Sequence, residues 1–233
     1  MRRDAVVLRT PITLAAAALA AVVALTACGP VRMGAAATLG NKQISTSTLT
    51  AEVNNLNTAY QAGKGKIQLQ FAASEMPQEV LSWLLRFRVV EQLAARQGIT
   101  VTRAQSQQAL TAAAAQAKQG GTTLSQLAVA NGLPPDQIGE LGRYQAIENA
   151  VVQRLDGGKL PTASAALQAL GAKFGTAQCR AAKSLVIKVN PQFGRLNYAQ
   201  ITVVPDANTL SAPEGAPSPK PTGTAAPQLS PSC

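Results

Sequence analysis

The sequence predicts a mainly α-helical domain with a small β element and a disordered C-terminal tail. Three observations carry that prediction. Between residues 46 and 155, apolar side chains return at helical spacing in successive stretches, each closed by glycine or an Asn-Gly pair. Two short β-branched runs follow, at 185–189 and 199–204. From Pro205 onward the chain holds seven Pro among 29 residues, mixed with Ser, Thr and Ala. Such a segment cannot bury enough apolar surface to offset its ordering entropy.

The N-terminus reads as a targeting segment. Arg2, Arg3 and Arg9 form a basic start, and Ile12 to Ala24 is almost wholly apolar. A bilayer crossing needs about 20 apolar residues, so this run suits a signal peptide better than a membrane span. It ends in Leu25-Thr26-Ala27-Cys28-Gly29, which resembles the lipobox of bacterial lipoproteins. That resemblance implies cleavage after residue 27 and a diacylglycerol on the Cys28 thiol. The bilayer is then a partner through Cys28, on its extracytoplasmic face. Each buried lipid CH2 contributes about 0.8 kcal/mol to such an anchor. The expected organisation is a signal peptide over 1–27, a spacer over 28–35, a domain over 36–204 and a tail over 205–233.

Within the domain, Gly40-Asn41 is a two-residue turn signal between short extended pieces, which predicts a hairpin across 36–45. Thr46 or Ser47 can cap the first helix, whose stripe is Leu49, Val53, Leu56 and Tyr60. Gln61-Ala62-Gly63-Lys64-Gly65 breaks that helix, and a mobile stretch follows to Ser74. Pro77 fits the first turn of a second helix that is apolar on most sides through Leu93, as the centre of a bundle would be. Gly98 ends it. Thr102 caps a third helix running to about Lys118, and a short helix follows around Leu124–Val129, closed by Asn131-Gly132. Pro134-Pro135-Asp136 opens a long helix with the stripe Ile138, Leu141, Tyr144, Ile147, Val151 and Leu155. Residues 162–182 read as a weaker helix. The two late strands can pair with each other or with the N-terminal hairpin, and Asn190–Gly194 reads as a loop.

Composition narrows the function. The full chain carries +10 and no histidine. Without histidine, Ser-His-Asp and Cys-His catalysis and the commonest metal ligand are excluded. No metal and no soluble cofactor are expected, and no nucleotide motif is present. The leader takes three Arg and one Asp with it, which leaves about +8 on the mature part. That balance attracts anionic lipid or acidic polypeptide, with a solvated surface of ordinary basic bias as the competing reading. Nucleic acid is a poor partner, since no basic residues cluster with aromatics. Of three cysteines, Cys179 and Cys233 remain once Cys28 is lipidated. A Cys179–Cys233 disulfide is the natural pairing in an oxidising compartment; two free or intermolecular thiols are the alternative.

The arrangement resembles the N-terminal domain of SurA- and PrsA-type extracytoplasmic chaperones. Leu39-Gly40-Asn41-Lys42-Gln43-Ile44-Ser45 is similar to that family's opening. The run from Glu91 through Gln97-Gly98-Ile99 to Thr102 resembles its helix end and crossing. Asn131-Gly132-Leu133 resembles its later crossing. The resemblance covers about residues 36–156. It implies a SurA-N-like helical bundle and an ATP-independent holdase for unfolded or partly folded exported proteins. Family members often continue into a parvulin isomerase domain. Only about 28 residues separate Leu155 from the strand at 184–189, so no isomerase fits and prolyl isomerase activity is not expected. Met76, Trp83, Phe87 and Tyr144 are the candidate groove residues, with plain core packing as the competing reading for each. An accessory or scaffold lipoprotein of an envelope complex is the alternative function. Glu75, Glu79 and Glu91 lie on or near one helix, but carboxylates near a helix N-terminus more often favour its dipole than do acid–base work.

Overall fold

A computed structural model describes residues 34–157, 164–205 and 233. The signal peptide, Cys28 and residues 206–232 of the tail lie outside the described residues.

The chain enters as strand β1 (Ala35–Leu39), turns at Gly40-Asn41 and returns as β2 (Lys42–Ser45). Gly40 takes φ 58°, the left-handed backbone that tight hairpin turns demand at their first central position. The two strands pair antiparallel, with a bulge between Ala35 and Ala37. Strand β2 runs without a break into helix α1 (Thr46–Ala62). The cap is therefore Ser45 rather than Thr46 or Ser47: its Oγ accepts the Thr48 N–H at 3.0 Å.

The stretch after α1 is not a loose connection. Ile67, Leu69 and Phe71 pack against the main core, and the Gln70 N–H donates to the Ala130 carbonyl at 2.9 Å. Helix α2 (Met76–Arg96) starts with Pro77 in its first turn. Met76, Val80, Leu81, Leu85, Val89, Val90 and Leu93 are all buried along it, which makes α2 the axis of the domain. Helix α3 (Arg103–Gln119) opens with a reciprocal Thr102–Gln105 capping box. The short α4 (Leu124–Ala130) repeats the device with Thr123 and Gln126.

Glycine matters most at two places. Gly132 takes φ 78° in the turn after α4, and a Cβ there would sit 2.7 Å from the Glu79 Cβ. The α4 turn thus lies directly on α2. Gly142 lies inside helix α5 (Ile138–Leu155), where a Cβ would meet the Leu110 side chain at 2.4 Å. Helices α3 and α5 approach closely only because that side chain is missing.

Helix α6 (Ser164–Ser184) packs on α2 and α5. Cys179 on α6 is buried and is joined to Cys233 by a disulfide, the two Cα atoms 5.8 Å apart. The late β segments do not take a single partner. Strand β3 (Ile187–Val189) adds to the free side of β1, giving the sheet order β2-β1-β3. Strand β4 (Arg195–Asn197), in a stretch without a sequence assignment, pairs with β5 (Thr202–Val204) as a separate hairpin. That hairpin lies on α2, where the fully buried Ser82 Oγ accepts the Val203 N–H at 2.8 Å and donates to the Gln78 carbonyl at 2.6 Å.

Candidate functional site

The four aromatic and thioether candidates do not form one open groove. Met76 is buried in the main core. Trp83, Phe87 and Tyr144 do come together, with ring centroids 5.8 to 6.4 Å apart and tilted or edge-on planes. Phe87 belongs to a second buried cluster with Ala128, Leu133 and Leu141, and the half-buried Trp83 and Tyr144 pack against it. Their polar ends are occupied. The Trp83 Nε1–H donates to the Asn131 carbonyl at 2.8 Å, and the Tyr144 hydroxyl accepts from Gln178 Nε2 at 3.0 Å. The Arg86 guanidinium lies 5.0 Å from the Trp83 ring centroid. These contacts tie α2, α4, α5 and α6 together, so the trio is a structural seal.

Half-buried charges surround the seal. Burial raises the Glu148 carboxyl above the ordinary glutamate range and pushes the Arg86 guanidinium down. Burial also raises the Tyr144 phenol, and the nearby Glu148 adds to the shift. Glu79 is raised by burial too, against the favourable charge of Arg86. The three carboxylates on or near α2 do not converge as acid–base machinery. Glu75 accepts the Ala72 N–H at 3.3 Å, while Glu91 pairs with Arg143 of α5.

The open space lies one turn of the α2 surface away. A groove of about 620 Å3 runs between the hairpin tip, α2 and the start of α5. This is in the size class of small-ligand and side-chain sites. The hairpin supplies Leu39 and Ile44 to its floor. Helix α2 supplies Leu84, Arg88, Glu91 and Ala95, a stripe at helical spacing, with Phe87 as the wall shared with the aromatic seal. Helix α5 adds Glu140 and Arg143, preceded by Gln137 from the turn before it. Leu185 closes the far side.

Across the groove, Arg143 Nη2 donates to Glu91 Oε2 at 3.1 Å, and Arg143 Nε donates to Glu91 Oε1. That bidentate pair holds the guanidinium above its ordinary range. Lys42 and Arg88 also line the space and make no salt bridge among the described residues. Behind the α5 end of the groove, Gln137 Nε2 donates to Glu52 at 2.7 Å and braces α1. The Glu52 carboxyl is raised by burial and by Asp136 beside it.

The arrangement offers apolar contact and charge and no nucleophile–base pair. No group of three His, Cys, Asp or Glu side chains among the described residues could hold a metal ion. No helix among them is long and apolar enough to cross a membrane. Apart from Phe87, no groove residue was singled out as a binding candidate from the sequence. A spacing signal was there, in Leu84, Arg88, Glu91 and Ala95, but nothing in it says that the opposing wall is open.

Comparison with known proteins bears on what such a groove does. A family model described as a SurA-like N-terminal domain matches residues 1–152, and no isomerase domain is detected. Neither the curated proteins nor the solved structures contain a match.

Proposed function

The chain belongs to the SurA-like N-terminal domain family, and from that premise we propose that it is a membrane-anchored extracytoplasmic lipoprotein acting as an ATP-independent holdase for exported proteins. The family is of chaperone type and extracytoplasmic, and its N-terminal domain is the non-catalytic part. The observation that carries the reading for this chain is the open groove beside α2. Its floor of Leu39, Ile44, Leu84, Phe87 and Leu185 suits transient burial of apolar side chains, at roughly 25 cal/mol per Å2 removed from water. Nothing in the proposed cycle requires nucleotide.

Anchoring rests on the lipobox-like run ending in Cys28. Lipid on that cysteine would hold the body close to the bilayer surface, because the spacer between Cys28 and Ala35 is only a few residues long. The absence of room for an isomerase between α5 and β3 supports a binding role without prolyl isomerisation.

The test is aggregation of several unrelated denatured proteins followed by light scattering, without nucleotide. Suppression of all of them by the mature chain is the expected result. Suppression of none, together with stoichiometric co-purification of one envelope protein, would give the adaptor reading instead. Mass spectrometry of the native chain should show a terminus at Cys28 carrying acyl groups.

A further inference from the structure

We infer that the groove selects extended polypeptide segments in which an acidic side chain neighbours an apolar one, with Lys42 and Arg88 receiving the carboxylate and the floor of Leu39, Leu84 and Leu185 the apolar group. The inference rests on the holdase reading and names the class of segment that this site takes.

Two independent observations support it. The first is charge. Of the five ionisable groups lining the groove, Glu91 and Arg143 neutralise each other, which leaves Lys42 and Arg88 against Glu140. The uncommitted excess is positive, and it stands at the mouth of an apolar floor. An incoming carboxylate meets attraction there, and an incoming ammonium meets repulsion.

The second is the apolar floor. Leu39, Ile44, Leu84, Phe87 and Leu185 line the groove beside those two cations. A segment that sets a carboxylate against Lys42 and Arg88 can therefore lay a neighbouring apolar side chain on that floor.

The test uses the whole mature chain and short labelled peptides in which leucine alternates with glutamate, glutamine or lysine. Binding is read by fluorescence anisotropy and by emission of Trp83, whose ring contacts the groove-lining Phe87. The glutamate peptide should bind about tenfold tighter than the lysine peptide, with a preference that shrinks as salt rises. Lys42→Gln with Arg88→Gln should abolish the preference for the glutamate peptide and, with Glu140 left alone, tilt binding toward the lysine peptide. Glu140→Gln should strengthen the preference for glutamate.

Equal binding of the glutamate and lysine peptides, or a preference that survives the double variant, overturns the inference. So does a dimer that the double variant dissociates, which would give the groove to a second copy. So does a rise in peptide affinity when residues 206–232 are replaced by a Gly-Ser linker, which would give it to the chain's own tail. Aggregation suppression, measured in parallel, separates this result from the holdase reading. If the parent chain protects no denatured protein yet shows the charge preference, the holdase reading falls and the groove assignment stands. If the parent protects and the charge preference is absent, the reverse holds.

Discussion

Two neighbouring flanks of α2 carry the comparison that matters most in this molecule. On one, Trp83 and Phe87 meet Tyr144, and the polar ends of the half-buried Trp83 and Tyr144 find partners in Asn131 and Gln178. On the other, Leu84, Arg88 and Glu91 face a cavity of about 620 Å3. The flank with the large rings is closed, and the flank with ordinary helix residues is open. In a chain with so few aromatics, the rings go where packing needs volume most. A cleft arises where the facing segments are too small or too far apart to fill it. Phe87 belongs to both flanks, so it is the wall through which a ligand in the groove would be felt by the single Trp.

The comparison breaks if the two flanks respond alike to truncation. Trp83→Ala should lower stability by about 2–3 kcal/mol, since it removes a large half-buried ring packed on Phe87 and Tyr144 together with its bond to the Asn131 carbonyl. Leu84→Ala should cost less, about 1 kcal/mol, because its smaller, half-buried side chain meets the core on one side and the groove on the other. Denaturant titration of both variants measures the difference. Similar losses would mean that the groove is closed in solution.

A smaller effect tests the far side of the same helix. Ser82→Ala strands the Val203 N–H in a fully buried position and should cost about 1–3 kcal/mol. Hydrogen exchange at Val203 should accelerate beyond what the global loss explains. A neutral result would mean that β4–β5 is held by something other than this bond.

Glu148 sharpens the picture of the sealed flank through pH. It accepts no hydrogen bond among the described residues, and burial raises its carboxyl above the ordinary value of 4.5. As pH climbs past that value, the unfolded chain releases the proton while the folded chain still holds it. Stability therefore falls with rising pH, until the raised folded value is passed. Glu148→Gln should flatten that part of the profile and raise stability at neutral pH relative to the parent chain. A steeper profile in the variant would reverse the assignment. Smallest is the effect of Arg143→Gln, which breaks an exposed ion pair and should change stability by about 0–1 kcal/mol. A larger loss would mean that the pair supports the fold rather than lines the site.

The helices were legible because their information is local. Thr102-x-x-Gln105 and Thr123-x-x-Gln126 each close a capping box within four residues, and Gly98 and Gly132 stop helices by backbone freedom alone. The resemblance at Leu39–Ser45 and Glu91–Thr102 lay in the same local features. Less legible were Ser45 as a cap, hidden because strand and helix abut, and β4, which is only three residues long. The expected strand from Leu185 begins two residues late, because Val186 turns the backbone left-handed. The groove was not legible at all. Its walls come from residues near 40, 90, 140 and 185, and no window of sequence contains them together.

By itself, then, the sequence settled which stretches coil, where each stops and to which family the order of elements belongs, because caps, glycine stops and apolar spacing act within a few residues of one another. Only the tertiary structure decided that Trp83 and Tyr144 would be sealed, that β3 would join β1 while β5 lay on Ser82, and that a charged cleft would remain beside Arg88. Those outcomes depend on how well distant side chains fill shared space, a quantity that exists only once the helices have met.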